Sequence, residues 1–126
     1  MDRRILIIDD EKNILNSMSD YFEDMGWTVF PFTSAEDAIV FLENEHVKCA
    51  IIDIRLTGMN GLDFIFETYM RNYNIKFVIY TGSIDFTIPE NFKKFGISPD
   101  NVIMKPASSL SIIYDAVLKN CCEGKK

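Results

Sequence analysis

The sequence has few of the residues that build zinc sites and disulfide frameworks. It contains one histidine, His46, and three cysteines among 126 residues. Cys49 lies in an apolar stretch, while Cys121 and Cys122 are neighbours near the end, so the spacing of a zinc site is missing. The odd number of cysteines favours reduced thiols in a cytoplasmic protein over a set of disulfides.

The chain also lacks an excess of positive charge and a long apolar segment. Its formal net charge is −6, whereas a surface that binds nucleic acid or an anionic membrane needs clustered lysine and arginine. The aliphatic run at residues 5–8 is far too short to span a bilayer or to form the core of a signal peptide. We therefore expect no direct contact with nucleic acid or with a membrane.

What is present is the composition of one folded domain. Hydrophobic residues make up 48% of the chain, which is enough to bury a core at this length. The sequence shows no internal repeat, no low-complexity stretch and no linker. We therefore predict a single domain over residues 1–126.

Five apolar runs, typical of strands, alternate with segments of helical periodicity. Four of the runs are continuously apolar, which indicates parallel strands covered on both faces. The predicted fold is therefore α/β, with one five-stranded parallel sheet between two layers of helices. The predicted strands are residues 5–8, Thr28–Phe32, Cys49–Ile52, residues 77–80 and Val102–Met104.

The helical segments carry recognisable start and stop signals. Gly26 is a natural stop for the first helix, and Thr33 with Glu36 predicts a capping box at the start of the second. Prolines and a glycine within residues 83–100 leave room for only a short helix there. The predicted helices lie at about residues 14–25, 35–42, 62–69, 90–95 and 110–121.

Polar side chains follow four of the predicted strands, at the point where each strand ends. They are Asp9 and Asp10, then Asp53, Thr81 and Lys105. In an open parallel sheet the ligand crevice lies beyond the carboxyl ends of the strands, where the strand order reverses. With the order 2-1-3-4-5 that point falls between the first and third strands, so the three aspartates should converge.

The types of these residues predict a metal site that handles phosphate. Three neighbouring carboxylates repel one another, and at neutral pH they need a cation or raised pKa values. Mg²⁺ prefers carboxylates and water, and it bridges readily to phosphate oxygens. Asp53 is then a possible nucleophile toward phosphorus, with Lys105 supplying positive charge and Thr81 a hydroxyl donor to the phosphoryl group.

Each of these residues, taken singly, has a plainer interpretation. Asp10 alone is best explained as a cap of the first helix. Thr81 with Gly82 alone is a turn, and Lys105 with Pro106 alone is a strand end before a helix. The combination of five suitable residues at the ends of four strands favours the functional interpretation.

The sequence clearly resembles the receiver domains of two-component response regulators, on the segments ILIIDDE, IIDIRLTGMNGLDF, FVIYTGS and VIMKP. The resemblance implies a flavodoxin-like three-layer fold. It implies that Asp53 accepts a phosphoryl group from a histidine kinase, a phosphotransfer protein or a small phosphodonor. It further implies that Mg²⁺ is bound by Asp10, Asp53 and the backbone carbonyl of Arg55, with Asp9 acting through a water molecule.

The resemblance also implies how such a domain works. Thr81 is the switch hydroxyl, and Lys105, joined to Pro106 by a cis peptide, contacts the phosphate. The protein is then a cytoplasmic signalling switch that catalyses only its own phosphorylation and dephosphorylation. Its phosphorylated form acts on an output domain or effector, and the face formed by the family's fourth helix, fifth strand and fifth helix could dimerise.

Three features depart from the family's pattern. Val102 stands where the family has an aromatic residue, Thr57 stands where it has proline, and residues 83–100 lack its fourth-helix pattern. These changes affect the expected output rather than the phosphorylation site. The aromatic residues that could replace the missing one are Phe86, Phe92 and Phe95.

Three alternatives share parts of this chemistry. A phosphatase of the haloacid-dehalogenase type would use Asp9 rather than Asp53 as nucleophile. A receiver-like interaction module would never become phosphorylated. A flavodoxin-like electron carrier would need a hydroxyl- and glycine-rich phosphate loop, where this chain has three acidic residues, Asp9, Asp10 and Glu11, that repel a flavin phosphate.

Overall fold

Five parallel strands form one sheet in the computed structural model of the chain, which describes residues 2–83 and 86–122. Their order is β2-β1-β3-β4-β5, which confirms the predicted topology. Three strands have the predicted bounds, while β1 begins one residue earlier and β4 gains one residue at each end. The strands are β1 Arg4–Ile8, β2 Thr28–Phe32, β3 Cys49–Ile52, β4 Lys76–Thr81 and β5 Val102–Met104.

In the part of the chain that the structure describes, four α-helices and three short helical segments connect the strands or follow them. The short helix predicted in the divergent stretch is present as a 3₁₀ helix, Glu90–Phe95. Within the described ranges, no helix has the length and apolar character needed to cross a membrane. The helices are α1 Lys12–Asp24, α2 Ala35–Leu42, α3 Gly61–Met70 and α4 Leu110–Val117, with a second 3₁₀ helix Pro99–Asn101 and a π-helical turn Leu118–Cys122.

Some predictions concern residues outside those that the structure describes. Residues 84 and 85 of the divergent stretch 83–100 are outside the description, as are residue 1 and residues 123–126 of the predicted domain.

The three central strands β1, β3 and β4 are buried on both faces along most of their length, as their continuous apolar sequences predicted. The edge strands β2 and β5 are partly exposed, so the burial predicted for β5 is not seen. Alternate residues of one strand point to opposite sides of the sheet. Leu6 and Ile8 of β1 therefore pack toward α2 and α3, whereas Ile5 and Ile7 pack toward α1 and α4. All four are fully buried, and burying such a side chain contributes about 1.5–3 kcal/mol. The two apolar layers hold the carboxyl ends of the strands in a fixed arrangement.

The start of α2 corrects the predicted capping box. Ser34, not Thr33, is the N-cap residue, and its hydroxyl accepts a hydrogen bond from the backbone N–H of Asp37 at 3.2 Å. The carboxylate of Glu36 instead accepts from the backbone N–H of Met59, at 2.7 Å. Glu36 thus holds the loop before α3. Its carboxylate is therefore not available to form a capping box at the start of α2.

Cys49 and Cys121 form a disulfide, which corrects the prediction of reduced thiols. Their Cα atoms are 5.7 Å apart, and they are separated by 72 residues along the chain. Cys49 begins β3, and Cys121 lies in the π-helical turn after α4, which packs on the same face of the sheet. The pairing comes from the tertiary packing, so the spacing of the cysteines gave no sign of it.

Asn101 anchors the chain just before β5. Its buried side-chain amide donates to the backbone carbonyl of Phe77 in β4, at 2.8 Å. Its side-chain oxygen accepts from the backbone N–H of Ser98, at 2.9 Å. These bonds fix the entry into the short edge strand β5, which ends one residue before Lys105.

Candidate functional site

The three predicted aspartates lie together at the carboxyl ends of β1 and β3. Carboxylate oxygens of Asp9, Asp10 and Asp53 all lie within 4.8 Å of one another. Asp9 is 1% exposed and Asp53 is 6% exposed, whereas Asp10 is open to solvent. The backbone N–H of Asp53 donates to the carbonyl of Ile8 at 3.2 Å, so the ladder between β1 and β3 positions the two buried carboxylates.

The ammonium group of Lys105 lies between acidic groups at the same edge of the sheet. Its Nζ is 2.8 Å from Oδ2 of Asp53 and 2.9 Å from Oδ2 of Asp9. It is also 3.1 Å from Oε1 of Glu11. An ammonium group has three N–H donors, so these contacts can use all of them. The lysine that follows β5 therefore offsets part of the negative charge that lies at the ends of β1 and β3.

Burial and charge shift the pKa values of two groups here. Burial raises the pKa of the Asp9 carboxyl, although the N–H of Glu11 and the ammonium of Lys105 act in the opposite direction. Burial lowers the pKa of Lys105, but its hydrogen bonds to Asp53, Asp9 and Glu11 outweigh that effect, and the net shift is upward. Lys105 is consequently charged throughout the neutral range.

The backbone after β3 orients the carboxylate of Asp53. The N–H of Arg55 donates to its Oδ1 at 3.1 Å, while its Oδ2 contacts Lys105. The guanidinium of Arg55 reaches across and donates to the hydroxyl of Ser83, at 3.2 Å. Thr81 is fully buried, and its hydroxyl accepts from the N–H of Ser83 at 3.3 Å. Its own O–H hydrogen is left to donate elsewhere.

Gly61 brings the start of α3 against the main chain of Asp53. Its N–H donates to the carbonyl of Ile54 at 2.9 Å. A Cβ atom at this position would collide with the carbonyl oxygen of Asp53 and would lie 2.8 Å from the Cα of Ile54. Backbone atoms cannot move aside as a flexible side chain can, so only glycine fits here without displacing the strand that carries Asp53.

Four of the five residues predicted from the strand ends line one open cleft: Asp10, Asp53, Thr81 and Lys105. The fifth, Asp9, is buried beside it, and Arg55 also lines the cleft. The peptide between Lys105 and Pro106 is cis, as the resemblance implied. Residues that the sequence did not assign also take part. Glu11 contacts Lys105, and Ser83 joins Arg55 to Thr81.

The acidic cluster is chemically suited to a metal ion. Its donors are carboxylate oxygens, which hard divalent cations prefer, and exposed Asp10 makes the cluster reachable from solvent. The plainer interpretation of Asp10 as a helix cap is not seen, because Glu11 is the N-cap residue of α1 and no side-chain hydrogen bond caps that helix within the described residues. The cluster could therefore hold a metal ion. The carbonyl of Arg55 as a ligand stays a prediction.

The region where the sequence departs from the family contributes one apolar surface. Val102 is half-buried and packs against the core beneath α2 and α3, as Phe86 and Phe95 do. Phe92 is buried within that core. Phe86 and Val102 line the same groove. Among the three candidate aromatics, Phe86 is thus the one that shares a groove with Val102, which stands where the family has an aromatic residue.

Comparison with known proteins identifies the family. The profile of the response regulator receiver domain matches residues 5–116. The chain belongs to this family. A receiver domain is a signalling domain of two-component systems, and the family assignment sets aside the phosphatase and flavin-carrier alternatives.

Curated relatives and solved structures agree with the assignment. The heme response regulator HssR of Staphylococcus epidermidis is 30% identical over 109 residues, which are 86% of this chain and 47% of HssR. The response regulator SaeR of Staphylococcus aureus is 28% identical over 86% of this chain and 46% of its own length. A solved CheY-like receiver domain from Methanospirillum hungatei JF-1 is 25% identical, with a TM-score of 0.76 over 94% of this chain and 93% of that one. The chain thus spans about half the length of these curated regulators.

Proposed function

We propose that this receiver domain accepts a phosphoryl group on the carboxylate of Asp53. The observation that carries the proposal is the placement of that carboxylate. It is 6% exposed, lies at the edge of the cleft and touches the ammonium of Lys105 at 2.8 Å. Such a carboxylate can attack phosphorus once the negative charge of the neighbouring carboxylates is offset.

Residues of the chain itself orient the reacting group. The N–H of Arg55 holds one oxygen of Asp53, which limits rotation of the carboxylate. Lys105 would contact the oxygens of the incoming phosphoryl group, because its Nζ already lies beside Oδ2 of Asp53. Thr81 would donate its hydroxyl hydrogen to a phosphoryl oxygen. An oxygen of Asp53 would form the new bond to phosphorus while the donor's bond to phosphorus breaks, which releases the donor histidine or, from acetyl phosphate, acetate. Hydrolysis of the resulting acyl phosphate would return the free carboxylate and inorganic phosphate.

The metal ion in this proposal is Mg²⁺. Asp10, Asp53 and the backbone carbonyl of Arg55 would hold it directly, with Asp9 acting through a water molecule. When bound, Mg²⁺ supplies positive charge against the carboxylates and the phosphoryl oxygens. The all-oxygen donors of the cluster and its opening to solvent at Asp10 support this assignment.

The added charge would act on the neighbouring loop. A phosphoryl group brings about −1.5 to −2 charges at neutral pH, close to the buried hydroxyl of Thr81. Thr81 and the loop that follows it would move toward the phosphoryl group. Phe86, which shares a groove with Val102, is our candidate for the residue that transmits this movement. The switch would shift the balance between two arrangements of that surface.

The donors and partners form part of the same proposal. A sensor histidine kinase, a phosphotransfer protein or a small phosphodonor would supply the phosphoryl group. An output domain or a separate effector in the cytoplasm would read the result, and homodimerisation is one form that this output could take. We also propose that residues 1–126 belong to one receiver domain, which the family match over residues 5–116 supports.

Intact-mass measurement tests the proposal directly. The wild type, Asp53→Asn and the control Asp20→Asn, altered at an exposed position of α1, are each incubated with acetyl phosphate, with and without Mg²⁺. We expect one Mg²⁺-dependent phosphoryl adduct on the wild type and on Asp20→Asn, and none on Asp53→Asn. An adduct that persists on Asp53→Asn would place the nucleophile elsewhere, and no adduct on any protein would favour a pure interaction module.

A further inference from the structure

Tyr80 lies directly beneath the turn that carries Lys105. It precedes Thr81 in β4 and is 6% exposed. Its hydroxyl oxygen accepts a hydrogen bond from the backbone N–H of Ala107, at 3.0 Å. The centre of its ring is 5.6 Å from Nζ of Lys105, within the range of a cation–π contact. One side chain therefore touches both the turn and the charged end of the lysine.

We infer that Tyr80 is a positioning residue that holds Lys105 in place for phosphoryl transfer to Asp53. The inference rests on the proposed function. Among the described residues, no hydrogen bond joins the Tyr80 side chain to a carboxylate of the cleft. Tyr80 would therefore act through Lys105 and not as a catalytic group.

The turn is held at two points, and Tyr80 provides the second. On one side, the N–H of Lys105 donates to the carbonyl of Thr81 at 2.9 Å, which continues the pairing of β4 with β5. On the other side, the N–H of Ala107 donates to Tyr80. Without the second bond, the pairing with β4 would be the one backbone hydrogen bond left to the turn among the described residues. A lysine side chain is long and flexible, so the position of its Nζ depends on the position of its backbone.

The chain offers a matched control in Tyr114. This tyrosine of α4 is 8% exposed and packs in the same apolar layer as Tyr80. Its hydroxyl also accepts hydrogen bonds, from Nε1 of Trp27 at 3.2 Å and from the guanidinium of Arg3 at 3.4 Å. Trp27 immediately precedes β2 and thus lies at the amino ends of the strands, opposite the cleft. Loss of the Tyr114 hydroxyl should cost at least as much stability as loss of the Tyr80 hydroxyl, without reaching Lys105.

The test compares Tyr80→Phe with Tyr114→Phe. Each protein is phosphorylated with acetyl phosphate and Mg²⁺, and the rate is followed by intact mass. Its affinity for Mg²⁺ is measured by calorimetry, and its affinity for beryllium fluoride, a phosphoryl mimic, by ¹⁹F NMR. We expect Tyr80→Phe to be phosphorylated about 2- to 10-fold more slowly and to bind beryllium fluoride more weakly, the effect of losing one hydrogen bond. Its Mg²⁺ affinity should not fall, because a displaced Lys105 would leave the carboxylates of Asp9 and Asp53 less neutralised. All three properties of Tyr114→Phe should match the wild type.

A purely structural role for Tyr80 predicts a different pattern. In that case Mg²⁺ affinity would fall together with the phosphorylation rate, or Tyr114→Phe would lose as much as Tyr80→Phe, and either result overturns the inference. If the wild type is phosphorylated and Tyr80→Phe has the same phosphorylation rate and beryllium fluoride affinity, the inference is overturned and the proposed function stands. No adduct on the wild type would overturn both.

A double variant tests whether Tyr80 acts through Lys105. If it does, Tyr80→Phe combined with Lys105→Ala should be phosphorylated no more slowly than Lys105→Ala alone. A further loss of the same size as in the wild-type background would show that Tyr80 acts independently of the lysine, and the inference would be wrong.

Discussion

Reduction of the bond between Cys49 and Cys121 should lower the free energy of unfolding by about 4 kcal/mol. The two residues are 72 positions apart, and a cross-link over a loop of that length removes much of the conformational freedom of the unfolded chain. The chain-entropy relation, with n close to 72, gives about 4 kcal/mol at 25 °C. For a domain of 126 residues this corresponds to a change in melting temperature on the order of 15 °C.

Guanidinium denaturation with and without a reductant measures this difference. Cys121→Ser should unfold at the midpoint of the reduced wild type under both conditions. Cys122→Ser is the matched control, since it keeps both members of the pair, and it should respond to reductant as the wild type does. In a reducing cytoplasm the lower stability would apply, because thiols are kept reduced there.

Two outcomes would refute the reasoning. The first is an equal midpoint for the wild type with and without reductant after air oxidation, together with three alkylatable cysteines in the unfolded protein. The second is a loss of the reductant effect in Cys122→Ser but not in Cys121→Ser. That result would show that Cys49 pairs with Cys122 and not with Cys121.

Three further predictions concern other parts of the fold. Gly61→Ala should lower the free energy of unfolding by about 1–3 kcal/mol, measured by urea denaturation, because its Cβ would meet the main chain at Asp53; unchanged stability would contradict this packing. Ser19→Ala should raise that free energy by about 1 kcal/mol, since its buried hydroxyl has no partner among the described residues; a loss in the same assay would show an unseen partner. The hydrogen bond from the N–H of Met59 holds the pKa of the Glu36 carboxyl below its ordinary value. The stability that this bond contributes is therefore fully present above the ordinary pKa and is lost as the pH falls through the lowered one. The stability difference between wild type and Glu36→Gln should shrink in that acid range, and a difference that grows there would be contrary to the lowered pKa.

The sheet was predictable because its signals are local and repeated. Each strand is a short run of residues that are apolar on both faces, and the same pattern recurs between helical segments. The structure adds a residue to β1 at Arg4 and one at each end of β4, Lys76 and Thr81. These residues are polar, so an apolar pattern could not include them, although their backbones continue the pairing of the sheet.

The convergence of Asp9, Asp10 and Asp53 was predictable from topology alone. Parallel strands end at the same edge, and the order of the strands decides which ends are neighbours. The contact of Lys105 with Asp9 and Glu11 was not predictable to that detail, because it depends on the path of a flexible side chain. The chemical roles of these residues stay predictions.

Other features depend on contacts between distant segments. Glu36 has the right spacing from Thr33 for a capping box, but its carboxylate binds Met59 across a loop. Cys49 and Cys121 meet only after α4 packs on the sheet. Short-range sequence patterns carry no information on either contact.

The most direct test of the central claim is to locate the phosphoryl group on the chain. The wild type is treated with acetyl phosphate and Mg²⁺ and then with sodium borohydride, which reduces an aspartyl phosphate to homoserine. Peptide mass spectrometry then identifies the altered residue. We predict homoserine at position 53 and nowhere else. Homoserine at position 9 or 10, or an unmodified Asp53 in a phosphorylated protein, would contradict the account.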